Sequence, residues 1–358
     1  MKEIGHKLNT AFIYLSIAVI TFIFGFFPEA VESYYSNLFY PLVSKIQRGI
    51  SSIFPFAIGD FLYALLIIYA IINVIIFIRK PRKTKTEFAF FGLKCINFLL
   101  IIYISFKLLW GLNYSRPRIN EQLQISDKPY SKEQLLKLNT FFLQKLDTLS
   151  KTIDTAAFNL TTQELENTAA TAYNQLAEKQ SFFRYKYMAV KPVTSSWLVS
   201  KTGIEGYYNP LSGEANINQR LPNFVLPFVT CHEIAHQIGV AKEDEANLVG
   251  YLTAIHSQNT QFQYSAYYNM FRYVLFEIRM KYPEDYNVII TKIPASVMAN
   301  FKIEREFWAQ YNGAMSVYMG KTFDKILKLN NQRKGIKSYQ DIVLWLVNYH
   351  ERELTVLN

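Results

Sequence analysis

The sequence predicts a multi-pass α-helical membrane region followed by a mainly α-helical α+β domain. Apolar residues crowd into the first 111 of the 358 positions, whereas charged residues concentrate in the rest. Three runs in the first part are long enough to cross about 30 Å of hydrocarbon. The second part is polar and helically periodic, and it is long enough to bury a core of its own. The predicted boundaries are therefore residues 1–111 and 112–358.

The three predicted membrane helices span residues 8–28, 58–78 and 88–110. Residues 8–28 and 61–78 contain no charged side chain. The third run carries Lys94 and Lys107, whose long stems can reach the membrane interface. A cleaved signal peptide is the alternative for the first run. An uncleaved anchor is favoured, because no small-x-small cleavage site follows and the apolar core is long for a signal peptide.

Positive charges predict the orientation of these helices. Lys2 and Lys7 precede the first run, and five arginines and lysines lie within residues 79–85, between the second and third runs. The positive-inside rule places both segments on the cytoplasmic side. Three crossings then place the residues after Trp110 outside the cytoplasm. The lipid bilayer is therefore the first predicted partner.

Composition excludes two other classes of protein. Cys95 and Cys231 are the only cysteines, and they fall in different predicted environments. Neither a disulfide framework nor a cysteine metal cluster is therefore expected. The net charge of +10 comes largely from the topology signal and a lysine-rich C-terminal region. Since no basic motif is interleaved with aromatic residues, no nucleic-acid partner is expected.

The second domain is predicted to combine helices with one small sheet. Residues 131–149 carry apolar side chains at helical spacing, and residues 162–178 follow the same pattern with Thr162 as a candidate cap. Glycine and proline separate short runs within residues 191–218, which predicts a small sheet. Helical periodicity returns after Pro227 and continues to the end of the chain.

The pentapeptide His232-Glu-Ile-Ala-His236 is the most informative motif in the chain. On a helix, histidines four positions apart project from one face and can hold one zinc ion, and Glu233 is placed to take a proton from zinc-bound water. The bare pattern also arises by chance, so its context decides. Pro227 predicts the start of a buried helix just before the motif, and the motif holds two of the five histidines in the chain.

A carboxylate from the next helix is expected to complete the site. Gly239 permits a turn, after which an acidic first helical turn begins at Glu243. Two histidines and one glutamate form a known catalytic zinc set, and Glu243 is favoured as the third ligand, with Glu245 as its competitor. Asn247 lies one turn after Glu243 and is expected to hold a histidine ring by a hydrogen bond.

Each of these residues also has a plainer interpretation. The two histidines and Glu233 would then be hydrogen-bonded core residues, although burying three polar groups in one turn is costly. Residues 243–245 would only complement the helix dipole. His256, Cys231 and the aromatic stretch 262–276 are expected to be ordinary packing or surface residues.

The motif and the acidic turn together resemble the gluzincin class of zinc metallopeptidases, in which a glutamate opening a Glu-x-x-Ala-Asp element supplies the third ligand. That element here is Glu243-Asp-Glu-Ala-Asn247, with asparagine in the last position. The resemblance implies a zincin-like extracytoplasmic domain. It also implies that residues 206–218 contain an edge strand that pairs with an extended peptide. Tyr208 is then a candidate hydrogen-bond donor to the oxyanion or, in the plainer interpretation, a packing residue.

The whole chain is similar to a family of bacterial inner-membrane proteins, domain of unknown function 3810. The similar segments are residues 55–63, 110–114, 206–210, 213–216, 232–236 and 335–339. The resemblance implies a multi-pass protein of the inner membrane that carries a zinc peptidase domain. It leaves the substrate open.

The function predicted from the sequence is a membrane-anchored zinc metallopeptidase that hydrolyses peptide bonds with a zinc-activated water. His232, His236 and Glu243 are its predicted zinc ligands, and Glu233 is its predicted general base. One alternative is a non-catalytic membrane scaffold or envelope-assembly factor with a structural or vestigial metal site. Another is a sensor that binds peptide without cutting it. An open fourth coordination position favours catalysis, and a fourth protein ligand favours a structural site.

Overall fold

The computed structural model describes residues 2–81, 83–153, 158–329 and 341–356. The chain is mostly helical, with one small sheet. The helices of its first part are α1 (Lys2–Phe24), α2 (Pro28–Ala30), α3 (Tyr40–Ser51), α4 (Ile58–Ile78) and α5 (Lys85–Leu109). A π-helical stretch, Val31–Phe39, joins α2 to α3, and a 3₁₀ turn, Gly111–Ser115, follows α5.

The second part contains the remaining helices and all three described strands. Its first helices are α6 (Ile119–Gln122), α7 (Lys132–Ser150), α8 (Thr162–Ala177) and α9 (Ser196–Thr202). The strands are β1 (Val190–Pro192), β2 (Gly206–Asn209) and β3 (Glu214–Ile217). The later helices are α10 (Leu226–Gln237), α11 (Glu243–Ile255), α12 (Thr260–Lys281), α13 (Pro283–Ile289), α14 (Ala295–Ala309), α15 (Ala314–Leu329), α16 (Asp341–Tyr349) and α17 (Glu351–Val356). Short 3₁₀ turns occur at Ser181–Phe183 and Ile290–Lys292.

Three helices are long and apolar enough to cross a membrane. They are Ile4–Phe24 within α1, the whole of α4 and the whole of α5. The rest of the chain leaves them almost uncovered, since 17%, 0% and 6% of their most apolar windows are buried. Such surfaces need an apolar environment, which suggests membrane association. They correspond to the three predicted runs, although the first ends at Phe24, before the predicted residue 28, because Pro28 starts α2.

The sheet has the strand order β1-β3-β2. β1 runs parallel to β3, with Val190 opposite Ala215, and β2 runs antiparallel to β3, with Gly206 opposite Ile217. The central strand β3 is buried along its whole length, and β2 lies at an edge. This confirms the small sheet predicted for residues 191–218.

The core of the second part lies among α7, α8, α10, α11, α12 and α16. The fully buried aromatic residues that α12 contributes are Phe262, Tyr264, Tyr268 and Phe271. They bear out the prediction that this stretch is mainly core. Helix α8 begins with a capping box in which Thr161, not the predicted Thr162, accepts a hydrogen bond from the backbone N–H of Glu164.

The N-terminal end of α4 is joined to the sheet by a buried carboxylate. The backbone N–H groups of Ile58 and Gly59 donate to Glu214 at 3.0 and 2.8 Å. Glu214 is fully buried in β3, so the sheet caps an apolar helix whose first N–H groups have no partner within the helix. A Cβ at Gly59 would overlap the side chain of Asn209, and this close approach explains the glycine.

Residues 29–57 pack against the second part of the chain. The hydroxyl of Ser51 in α3 donates to the carbonyl oxygen of Ser212 at 2.6 Å. The side chain of Arg116 forms an ion pair with Glu32 at 2.7 Å, and it is almost fully buried. Residues 29–57 therefore share an interface with the second part, although they precede the predicted boundary at residue 111.

Candidate metal centre

Helix α10 carries the motif that the sequence singles out, and a tight turn returns the chain to it. Pro227 lies in the first turn of α10, where its missing N–H is tolerated. Gly239 follows the helix with a φ of 95°, a conformation that favours glycine. α11 then crosses α10 closely at Gly250, where a Cβ would lie 3.0 Å from the backbone nitrogen of His232. This crossing brings the first turn of α11 opposite the histidines.

His232, His236 and Glu243 bring three ligand atoms together. The two Nε2 atoms are 3.2 Å apart. Oε2 of Glu243 lies 3.3 Å from Nε2 of His232, and Oε1 of Glu243 lies 3.8 Å from Nε2 of His236. All three ligand atoms lie within 4.8 Å of one another. The three residues predicted as ligands are therefore neighbours in space.

Glu245, the competing ligand, points elsewhere. Its Oε1 accepts hydrogen bonds from the ammonium group of Lys242 at 3.1 Å and from the backbone N–H of Ile119 at 3.3 Å. It is 1% exposed and anchors the start of α6 to α11. Within the described ranges, His232, His236 and Glu243 form the only cluster of three or more histidine, cysteine or acidic side chains with metal-ligand spacing.

The donor set fits zinc. Nδ1 of His236 lies 2.6 Å from the carbonyl oxygen of Val240, an arrangement that keeps the proton on Nδ1 and leaves the Nε2 lone pair for a metal. Two nitrogens bound to tetrahedral zinc at about 2.0–2.1 Å are separated by about 3.3 Å. The observed Nε2 separation is 3.2 Å. The imidazole pair therefore needs little rearrangement to bind the ion.

Glu233 lies beside the ligands and is 3% exposed. Its Oε2 has no hydrogen-bond partner. The backbone of β2 passes close to its other oxygen, since a Cβ at Gly206 would lie 2.7 Å from Oε1. Burial and the charges of Glu243 and Glu205 raise the pKa of Glu233 to about 8. A carboxyl group with a pKa near neutrality and an unpartnered oxygen is suited to proton transfer.

The two histidines differ in their affinity for a proton. Burial opposes the charged form of His232, but the hydrogen bond to Glu243 and the charges of Glu233, Glu243 and Glu205 outweigh it and raise its pKa to about 9. Burial lowers the pKa of His236 to about 4. Three acidic side chains thus favour the protonated form of one imidazole in the metal-free site. This charge distribution also favours a divalent cation in place of the proton.

Residues that directly follow α5 form one wall of the site. The ring of Trp110 meets the imidazole of His236 edge to face, with 6.0 Å between ring centroids. Its Nε1 donates to the carbonyl oxygen of His236 at 3.4 Å. Tyr114 is buried as well, and burial and the charge of Glu243 both raise its pKa. The end of an apolar helix therefore directly adjoins the candidate metal centre.

Tyr208 is a packing residue in this wall. It is 8% exposed, and its ring packs against Trp110 with centroids 5.2 Å apart. Its hydroxyl lies 3.3 Å from the hydroxyl of Tyr40, which binds the end of α10. The structure therefore favours the plainer of the two interpretations of Tyr208.

Asn247 contacts a tyrosine instead of a histidine ring. Its Nδ2 donates to the hydroxyl of Tyr273 at 3.5 Å, while the Val240 carbonyl oxygen takes the expected role at His236. Burial raises the pKa of Tyr273, and the charges of Glu205 and Glu243 add to the shift, although the charge of Arg272 opposes it. No local pattern distinguishes Tyr273 from the other aromatic residues of α12, most of which are buried.

Glu205 and Arg272 are two further residues that sequence reasoning missed. The guanidinium of Arg272 lies 2.7 Å from Glu304 and 3.8 Å from Glu205. Burial raises the pKa of Glu205, which is close enough to His232 to feel its charge. The only available signal was the position of Glu205 immediately before the predicted edge strand.

The remaining candidates from the sequence lie outside the ligand cluster. Cys231 is fully buried in the core, and its carbonyl oxygen accepts a hydrogen bond from Tyr173. His256 follows α11, and its Nδ1 contacts the carbonyl oxygen of Leu252 at 2.8 Å. Both fit the expected packing or surface roles. Residues 335–339, one of the segments that carried the family resemblance, lie outside the described residues.

Comparison with known proteins identifies a family. No curated protein and no solved structure matches the chain. The family described as "Protein of unknown function (DUF3810)" matches residues 35–347. This match runs from the segment before α3 to the last turns of α16 and includes every residue of the candidate metal centre. The chain therefore belongs to the DUF3810 family.

Proposed function

We propose that this protein is a membrane-anchored, zinc-dependent metallopeptidase. The observation that carries the proposal is the cluster of three ligand atoms within 4.8 Å of one another, beside a buried glutamate, Glu233, that has an unpartnered oxygen. Two histidines on one helix face, a carboxylate ligand and a separate glutamate base are the donor set of zinc peptidases. The plainer interpretation leaves Oε2 of Glu233 buried without a partner, which is costly.

Zinc in this site would lower the pKa of a bound water to about 7 and would polarise the carbonyl group under attack. Glu233 performs the proton transfers. Its free Oε2 takes a proton from the attacking water and later returns it to the leaving amine. The burial of Glu233 limits the access of bulk water to that proton.

Tyr273 is the residue that we assign to stabilising the oxyanion. It approaches the site from α12, on the side of Glu243, and its hydroxyl is positioned by Asn247 at 3.5 Å. A hydroxyl donor directed at the developing negative charge contributes about 100- to 1,000-fold to the rate in other hydrolases.

Strand β2 provides an edge for an extended peptide. One of its edges pairs with β3, and no strand in the described part of the chain pairs with the other. Gly206, at the start of β2, lies directly against Glu233. A peptide that adds to this edge would therefore pass the general base.

The proposal includes a location. Helices α1, α4 and α5 would cross the bacterial inner membrane, with lipid covering their exposed apolar side chains. Residues 79–85 join α4 to α5 at the end remote from Glu214 and Trp110. Their positive charge favours the cytoplasmic side for this loop. The metal centre, at the opposite ends of both helices, would then face away from the cytoplasm.

A structural zinc site is the competing function. Such sites are normally closed by four protein ligands, whereas catalytic sites keep one position for water. Within the described residues, no fourth histidine, cysteine or acidic side chain joins His232, His236 and Glu243. The three-ligand set therefore supports catalysis over a purely structural role.

The test uses the full chain purified in detergent and loaded with zinc. We expect about one zinc ion per chain and cleavage of a randomised hexapeptide library, read by mass spectrometry. Glu233→Gln should retain zinc and lose at least about 100-fold in cleavage rate, because it removes the general base but no ligand. Glu245→Gln is the matched control and should retain both zinc and most activity. Cleavage by Glu233→Gln at the wild-type rate would overturn the mechanism.

A further inference from the structure

Helix α3 has an apolar face that no other part of the described chain covers. Its members are large aliphatic side chains spaced mostly four residues apart, so that they align along one side of the helix. We call them the outer face of α3, which includes one residue before the helix and one after it: Leu38, Leu42, Ile46, Ile50 and Ile53, which are 53–76% exposed. A contiguous apolar surface of this kind marks an interaction site.

The opposite side of α3 holds the metal-ligand helix. The hydroxyl of Tyr40 lies 3.2 Å from the carbonyl oxygen of His236 and 3.0 Å from that of Gln237. The hydroxyl of Ser44 donates to the same Gln237 carbonyl oxygen at 3.1 Å. These bonds satisfy carbonyl groups that the end of α10 leaves without partners. A single helix, about 10 Å across, therefore separates α10 from the outer face.

The outer face continues into surfaces that the proposed function assigns to lipid. Phe54 and Phe56 are exposed between α3 and α4, and Phe61 is exposed at the start of α4. On the other side of the site, α5 ends at Leu109, and the next residue, Trp110, contacts the imidazole of His236. Helix α3 and the end of α5 thus both adjoin α10, the helix that carries the two histidines, and the start of α4 adjoins the sheet.

We propose that the outer face of α3 lies in the bilayer interface and holds the metal centre at the membrane surface, so that the substrates are membrane-anchored polypeptides cleaved close to their anchor. This inference rests on the proposed peptidase function and names its substrate class. An amphipathic helix inserts its apolar side into the boundary between headgroups and acyl chains. Each large aliphatic side chain that leaves water adds to the free energy of this insertion.

The geometry also limits where such a substrate is cut. With one helix layer between the lipid and α10, the ligands lie about 10–15 Å above the outer face. An extended chain covers that distance in about three to five residues. The scissile bond is therefore expected within about five residues of the point where the substrate leaves the membrane.

The position of α3 can be tested without any catalysis. In a Cys95→Ser background, a single cysteine is placed at Ile46 and labelled with an environment-sensitive fluorophore. The protein is then reconstituted in phosphatidylethanolamine and phosphatidylglycerol vesicles that contain nitroxide-labelled acyl chains. A cysteine at Thr171, exposed on α8, is the matched control. We expect strong quenching at residue 46 and little at residue 171. Equal quenching at the two positions would contradict the proposed position of α3 in the bilayer interface.

The substrate class is tested with two forms of one library. A peptide library with six randomised positions is either left soluble or attached to the same vesicles through an N-terminal palmitoyl chain and a two-residue spacer. We expect cleavage of the attached form to be at least about 10-fold faster at equal total peptide. Equal rates for the two forms would overturn the inference and leave the peptidase function intact. If neither form is cut while residue 46 is quenched, the proposed peptidase function is wrong, and the proposed position of α3 in the bilayer interface is supported.

Discussion

The two parts of the chain differ in which side chains they expose and which they bury. In α4, the most apolar window has 0% of its residues buried, and large aliphatic side chains point outward. In α10 and α11, the charged side chains of Glu233 and Glu245 are 3% and 1% exposed. The first part thus exposes apolar side chains, whereas the acidic side chains of the candidate metal centre are buried beside the ends of the apolar helices.

The burial of polar groups without hydrogen-bond partners lowers the stability of the folded chain. Buried polar atoms without partners occur in both parts of the described chain, and those of the second part include Nδ1 of His232, Oε2 of Glu233 and Oε2 of Glu245. Each such group costs about 1–3 kcal/mol. A bound cation would offset part of this cost through the surrounding carboxylates. The predictions below test first the metal centre, then the junction between the two parts, and then the packing and titration of the second part.

The largest effect is expected from removing one ligand. The binding free energy of a zinc site with four protein ligands is about 10–16 kcal/mol, so that the loss of one ligand removes about 4 kcal/mol. We therefore expect His232→Gln to weaken zinc binding about 1,000-fold. His256→Gln is the matched control, because His256 contacts only a backbone carbonyl oxygen among the described hydrogen bonds. Competition with a fluorescent zinc chelator measures both affinities. Similar affinities for the two variants would remove His232 from the ligand set.

The junction between the two parts depends on Glu214. We expect Glu214→Ala to lower the free energy of unfolding by about 3 kcal/mol, because it leaves the N–H groups of Ile58 and Gly59 in a buried helix end without an acceptor. Glu164→Ala is the control. It removes a carboxylate cap from the exposed start of α8 and should cost about 1 kcal/mol. Urea unfolding in detergent gives both values, and a smaller loss at Glu214 than at Glu164 contradicts the capping role.

Local patterns predicted much of the fold and the residues that meet at the candidate metal centre. The absence of charge predicted the apolar helices, and the family resemblance is confirmed by the match to residues 35–347. The motif and the acidic turn predicted three residues that the structure brings together. This was possible because His232, His236 and Glu243 lie within 12 consecutive positions. Proximity in sequence made this inference possible.

Contacts between distant segments were beyond the reach of one sequence. Tyr40 binds the end of α10 across 196 positions, and Tyr273, which contacts Asn247, lies on a helix whose other aromatic residues are mostly core. Neither contact has a local pattern that distinguishes it from ordinary packing. The expected role of Asn247 failed for the same reason, because helix periodicity gives the face of a residue but not which neighbouring side chain meets it.

Gly250 tests how closely α10 and α11 must pack. We expect Gly250→Ala to cost about 2 kcal/mol, because its Cβ would meet the backbone of His232 at 3.0–3.1 Å and backbone atoms cannot rotate away. The affinity for zinc should also fall, since Glu243 would be displaced from the histidines. Gly92→Ala in α5 is the matched control, with nothing within 4 Å of the added Cβ. Thermal unfolding and zinc titration of both variants provide the comparison. An equal response at the two glycines would show that the helix crossing tolerates expansion.

The smallest effect concerns a histidine buried away from the metal centre. His350 is 2% exposed, and its Nε2 lies 2.7 Å from the hydroxyl of Tyr251. Burial lowers its pKa to about 4, although the charge of Glu353 opposes the shift and that of Lys145 adds to it. The unfolded chain, with a histidine pKa of about 6.5, therefore takes up the proton first as the pH falls.

The contribution of His350 to stability is therefore complete above about pH 6.5 and decreases as the pH falls towards 4. Between pH 7 and pH 5.5, we expect the wild type to lose about 1 kcal/mol more than His350→Gln, which keeps a hydrogen-bonding group near Tyr251 but cannot titrate. The difference between the two proteins isolates this residue, because the other titrating groups are common to both. Urea unfolding at several pH values measures it. Parallel pH profiles would mean that His350 accepts a proton in the folded protein as readily as in the unfolded chain.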